Sequence, residues 1–172
     1  ALNDWRGVNE REVNFCDEVT LIEGPNEIGK STIVEAIRTL FEEMDSSGKK
    51  DVKAIQPVGQ DVGSRVEAEV VTGDYHFVYT KTYNKGKQTE LRVLAPESEQ
   101  LTGREAHERA AEILDETIDR SLWNALLVEQ GKEISGAHLA DSTGLARALD
   151  EAAGTSTGEY EDSALVTAVQ KE

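Results

Sequence analysis

Apolar residues recur along this chain with two different periods. From Lys30 onward, Ile33, Val34, Ile37, Leu40, Phe41 and Met44 return at helical spacings and make one apolar face. The run SSGKKD at 46–51 ends that pattern. Upstream, EVNF (12–15) and VTLIEG (19–24) are β-favouring, so residues 1–45 read strand, strand, loop, helix. Residues 52–64, with Pro57, Gly59 and Gly63, read as a loop. RVEAEVV (65–71), YHFVYTKTY (75–83) and TELRVLA (89–95) then alternate as strands, separated by TGD and NKGKQ, and predict an antiparallel meander.

At Thr102 the period returns to helical. Thr102 and Glu105 match a capping box, and Ala106, Ala110, Ile113, Leu114 and Ile118 line one face. A partly apolar stretch runs from 121 to Gly136, and a short helix is expected over 137–150. EAAGTSTGEY (151–160) is small and polar and reads as a linker; a further helix or coiled coil opens after it. The expected organisation is a lobe over residues 1–150 followed by a linker and helix start over 151–172. No internal repeat is evident.

Composition narrows the function classes. With 172 residues and 38% apolar content, the chain is long enough to bury a core. Apolar runs of a few residues, such as 125–128, are far short of the roughly 20 that span a bilayer. ALNDWRGVNE lacks a basic segment followed by an apolar one, so no signal peptide is expected. Cys16 is the single cysteine and the three histidines are scattered, which disfavours a disulfide framework or a zinc site. These features predict a cytoplasmic protein without a membrane partner. Eighteen Lys and Arg against 34 Asp and Glu give a net charge of −16, which on average repels polyanions. DNA contact therefore needs a local basic patch. One candidate is the hairpin bearing Lys81, Lys85, Lys87 and Arg92 with Tyr75, Phe77, Tyr79 and Tyr83. The competing reading puts same-parity aromatics on a core face and leaves the tip lysines solvated.

The sharpest motif is LIEGPNEIGKSTIVEAI, 21–37. Gly24, Gly29, Lys30 and Ser31 satisfy the phosphate-loop pattern G-x-x-x-x-G-K-[ST] between an apolar strand (19–22) and an amphipathic helix. Glycines let successive backbone N–H groups turn toward phosphate oxygens, and the helix that follows aims its positive end at the same place. Lys30 supplies a mobile cation, and the Ser31 hydroxyl suits Mg²⁺. The pattern predicts the phosphates of a nucleotide with Mg²⁺, held by Gly24, Asn26, Glu27, Ile28, Gly29, Lys30, Ser31 and Thr32; which nucleotide it is, the pattern leaves open.

GPNEIGKST, followed by IVEAI, resembles the SMC/RecF/SbcC branch of ABC-type ATPases, the heads of chromosome-organising and double-strand-break-repair proteins. LNDWRGVNEREVNFCDEVTLIEG (2–24) is similar to their opening strand pair, and the resemblance implies that Arg6 lies near the nucleotide. LLVEQGKEIS (126–135) is similar to their Q-loop, which implies that Gln130 assists with Mg²⁺ and the attacking water. Glu27 stands where ABC transporters commonly have glycine. The resemblance covers about residues 1–136 and implies an α/β P-loop NTPase fold: lobe I of a head, with an antiparallel meander beside the P-loop strand–helix unit.

Hydrolysis also needs carboxylates. In the family these follow four apolar residues as Asp-Glu on a strand. AEILDE (111–116) and LARALDE (145–151) only approximate this, because Glu112 and Arg147 interrupt them and both carry helical periodicity. A Ser-Gly-Gly signature is absent. The resemblance thus implies the N-terminal half of a split head, whose partners are a C-terminal lobe beyond a coiled coil, a second head in an ATP-dependent dimer, a nuclease subunit and DNA. Two alternatives stand beside it: an ABC-type ATPase with a transport or regulatory role, and a self-contained P-loop kinase or GTPase.

Overall fold

The structure, a computed structural model, describes residues 1–16, 19–26, 28–120 and 123. The chain divides into two compact units, Ala1–Ile118 and Asp119–Glu172, and the described residues lie almost wholly in the first. The expected features beyond it, Gln130 and Asp150 among them, fall outside the described residues, as does Glu27 in the loop.

Among the described residues, six strands form one antiparallel sheet: β1 (Leu2–Trp5), β2 (Val8–Arg11), β3 (Ser64–Thr72), β4 (Tyr75–Tyr83), β5 (Gln88–Ala95) and β6 (Glu99–Thr102). Their spatial order is β2-β1-β3-β4-β5-β6. The meander β3–β4–β5 matches the alternation in the sequence. Its register follows from Phe77, Tyr79 and Tyr83 in β4 sharing one buried face with Val66, Leu91 and Val93. Helix α1 (Lys30–Glu42) and helix α3 (Gly103–Thr117) cover that face; a short turn of helix, α2 (Lys50–Lys53), lies between α1 and β3. The core is contributed by Ile33, Ala36 and Leu40 of α1, Ala106, Ala110 and Ile113 of α3, and Val52 and Ile55 around α2. The opposite face of the sheet is polar, with Arg65 donating to Glu67 at 2.7 Å and Thr80 to the same carboxylate at 3.0 Å. Leu91 and Arg92 therefore test the register. Leu91→Ala is expected to cost about 2–5 kcal/mol and Arg92→Ala within about 0.5 kcal/mol, read by urea unfolding.

The opening strand pair is β1–β2, turning at Arg6–Gly7, and not the pair 12–15 and 19–24. Residues 19–25 adopt no regular structure, and Val19 and Leu21 are 84% and 77% exposed. A strand requires a neighbour to take its N–H and C=O groups, and among the described residues this segment has none. The loop after α1 contains α2, because Val52 and Ile55 turn inward. Thr102 precedes α3, yet its hydroxyl makes no capping hydrogen bond. It is held extended in β6 opposite Glu90, and Gly103 at φ 63° turns the chain into the helix. Helix α1 ends at Glu42, so Met44 lies beyond it.

Candidate functional site

The phosphate-loop motif is built at the start of α1. Gly29 immediately precedes the helix in the left-handed region, at φ 95°. A side chain there would be strained, and a Cβ would sit 3.1 Å from Cγ2 of Val8 in β2. The same tight packing spans the loop, where a Cβ on Gly24 would meet Ile28 Cγ2 at 3.0 Å. Among the described residues, no side chain caps the N-terminus of α1, and no acidic residue occupies its first turn. Its first backbone N–H groups and the positive end of its dipole are therefore left for an anion.

Lys30 folds back across the loop. Its Nζ donates to the carbonyl oxygens of Gly24 and Pro25, each at 2.7 Å. These are neutral acceptors, so the ammonium carries a charge that no carboxylate neutralises in those contacts. Asn26, Ile28 and Ser31 are exposed, and Thr32 is half-buried. The donor set fits a nucleotide phosphate with a hard cation: backbone N–H groups and an ammonium for phosphate oxygens, and the Ser31 hydroxyl for the metal. Among the described residues, no cluster of three His, Cys, Asp or Glu side chains forms a separate metal site.

Arg6 reaches α1 from the β1–β2 turn. Its guanidinium pairs with the carboxylate of Glu35, and its backbone N–H donates to Ile55 O at 2.6 Å. The opening hairpin is thus anchored along the first half of α1 by Arg6 on Glu35 and by Val8 against Gly29. Neither Glu35 nor Val8 carried a motif signal, since both contacts join segments more than 20 residues apart. The structure does not bring Gln130 into view with the loop, because that residue is not described. Asp115 is exposed within helix α3 and not on a strand, as its helical period required.

A family profile described as an AAA domain matches residues 1–149. The chain belongs to this AAA domain family. Three relatives, an uncharacterized protein of Mycobacterium bovis and two of Mycobacterium tuberculosis (strains CDC 1551 and H37Rv), are each 50% identical to it over 155 residues. The match takes in 90% of this chain and 18% of each relative, so the chain spans less than a fifth of their length. Membership supports an ATPase-type, nucleotide-binding role for the AAA domain. Among the described residues, no helix is long and apolar enough to cross a membrane.

The basic hairpin is dispersed by the fold. Lys81 is fully buried on the helix-covered face, while Arg92 is exposed on the other. At the tip, Lys85 Nζ binds Asp61 Oδ2 at 2.5 Å, and its backbone carbonyl is approached so closely by Gly63 that a Cβ there would lie 2.2 Å away. Four basic residues in one stretch of sequence do not make one basic surface. The signal for Lys81 was present, because it shares parity with Tyr75, Phe77, Tyr79 and Tyr83.

Proposed function

We propose that this AAA domain is the ATP-binding lobe of an SMC/RecF/SbcC-type head, acting with Mg²⁺ in DNA repair or chromosome maintenance. The observation that carries the reading is the join between a bare apolar segment and a phosphate loop. Val19 and Leu21 stand exposed immediately before Gly24, where a P-loop fold needs a paired strand. The reading supplies that pairing from a C-terminal lobe elsewhere in the same polypeptide. It agrees with relatives in which over four fifths of the length lies outside the match.

In this role the chain's own residues bind and orient. Backbone N–H groups from Gly29 onward and the Lys30 ammonium hold phosphate oxygens, and Ser31 offers its hydroxyl to the metal. Bound Mg²⁺ would neutralise charge on the phosphates. Arg6, held by Glu35, stands beside the same helix as a candidate nucleotide contact. Activation of water and closure of the site fall to the C-terminal lobe, with Gln130 assisting, and to a second head. A nuclease subunit and DNA are the partners on which the assembled machine acts.

The test is ATP turnover by the 172-residue chain and by the full-length polypeptide, each with and without DNA. The full-length protein is expected to hydrolyse ATP, faster with DNA, while the chain alone stays well below about 1 s⁻¹. Turnover near that rate by the chain alone would overturn the split-head reading. Indifference of the full-length protein to DNA would remove the DNA role.

A further inference from the structure

Lys81 is a buried base that stands outside the phosphate loop. Its side chain is 0% exposed, between the sheet and α1 and α3. Three polar atoms surround its Nζ: Leu40 O at 2.7 Å, Glu43 O at 2.7 Å and Nδ1 of His107 at 2.9 Å. The first two are carbonyls at the C-terminal end of α1. Tyr83 OH donates to neighbouring carbonyls, Thr39 O at 2.8 Å and Glu43 O at 3.2 Å. Two β4 side chains therefore take the place of the glycine cap that commonly ends a helix.

The contact between Lys81 Nζ and His107 Nδ1 joins two basic nitrogens. With Lys81 as a neutral amine, its two N–H groups serve the two carbonyls and its lone pair accepts from the Nδ1–H of His107, so the closed pair carries no extra proton, whereas in acidic water the same two side chains carry two. We propose that Lys81 and His107 form a proton-gated clamp that seats the C-terminal end of α1 on β4 and α3 when closed and releases it when the pair takes up a proton.

The surroundings set the direction. Burial pushes the Lys81 ammonium down to about 7, against an opposing pull from Asp45 and Glu43 beyond the end of α1. His107 is also lowered, first by burial and then by Lys81, with Glu108 on its own helix and Asp45 and Glu43 opposing. Tyr79, whose hydroxyl lies 3.1 Å from the same Nδ1, and Tyr83 are raised by burial and keep their protons. Thr89 of β5, opposite Lys81, is uncharged. Both bases hold protons less tightly in the cluster than in water. The clamp's stabilisation is therefore present above the ordinary lysine value and is lost as pH falls toward 7; His107 adds a second loss below about 6.5. His107 is half-buried, which gives protons a way in.

Nucleotide is not needed for the test. Amide exchange at residues 40–43, corrected for intrinsic rate, is followed from pH 8.5 to 5.5 in the wild type, Lys81→Met and His107→Gln. In the wild type, protection is expected to fall by up to about tenfold per pH unit between 8.5 and 7, more steeply than in β5. Lys81→Met should show lower protection without that fall. His107→Gln, which keeps an N–H donor, should lack only the loss below pH 6.5. Parallel profiles in wild type and Lys81→Met would overturn the clamp. Should Lys81→Met fail to fold, NMR titration of the wild-type Lys81 side chain decides, and an ordinary value near 10.4 rejects the clamp.

Discussion

Lys30→Ala is expected to weaken Mg²⁺–ATP binding by about 100-fold or more while leaving the fold intact. The two halves of that statement have separate causes. Among the described residues the Lys30 ammonium contacts two loop carbonyls in an exposed segment, so its removal should change stability by no more than about 0.5 kcal/mol. A charge-assisted hydrogen bond to phosphate contributes about 1.5–3 kcal/mol, and a cation that bridges two phosphates makes more than one. Calorimetric titration of the full-length polypeptide with Mg²⁺–ATP, beside a thermal melt, reads both halves. Equal affinity in wild type and variant would show that nucleotide binds elsewhere. A loss of affinity accompanied by a lowered melting temperature would instead mean that the lysine holds the loop together.

Trp5→Ala should destabilise the chain by about 3–5 kcal/mol, whereas Trp5→Phe should cost no more than about 1.5 kcal/mol. Trp5 is fully buried at the end of β1 and meets Tyr83 edge-on, with ring centroids 5.8 Å apart. Alanine leaves a cavity at the root of the hairpin that carries Arg6 and Val8 onto α1. Phenylalanine keeps most of the packing and removes a liability, since the indole Nε1 is buried without a hydrogen-bond partner among the described residues. Urea unfolding of both variants provides the comparison. Equal losses in the two would mean that the indole N–H, and not the ring's volume, is what matters at this site.

Much of this architecture was legible because it is local. Strict alternation over 65–71, 75–83 and 89–95 can satisfy only a pleated strand with one buried face, and those strands are present. Helical spacing over Lys30–Glu42 and from Ala106 to Leu114 likewise appears as α1 and α3. Local pattern misleads where a residue's state depends on a distant partner. Residues 19–22 have a strand's composition, yet no neighbour among the described residues pairs with them. Thr102 and Glu105 have a capping box's spacing, yet pairing in β6 fixes Thr102 before the helix can use it. Helix α1 stops at Glu42, ahead of SSGKKD, where Lys81 and Tyr83 hold its last carbonyls from 38 to 44 residues away.

The site divides along the same line. The order Gly24, Gly29, Lys30, Ser31 by itself determined a loop whose backbone turns left-handed before an uncapped helix, because glycine and the residues just after it decide those dihedrals and that cap. Only the tertiary structure decided that Glu35 holds Arg6, that Val8 closes on Gly29, and that Lys81 leaves the basic hairpin to grip α1. Those three depend on which segments meet across the sheet. A one-dimensional pattern records the side chain each segment offers, but not the partner that burial brings to it.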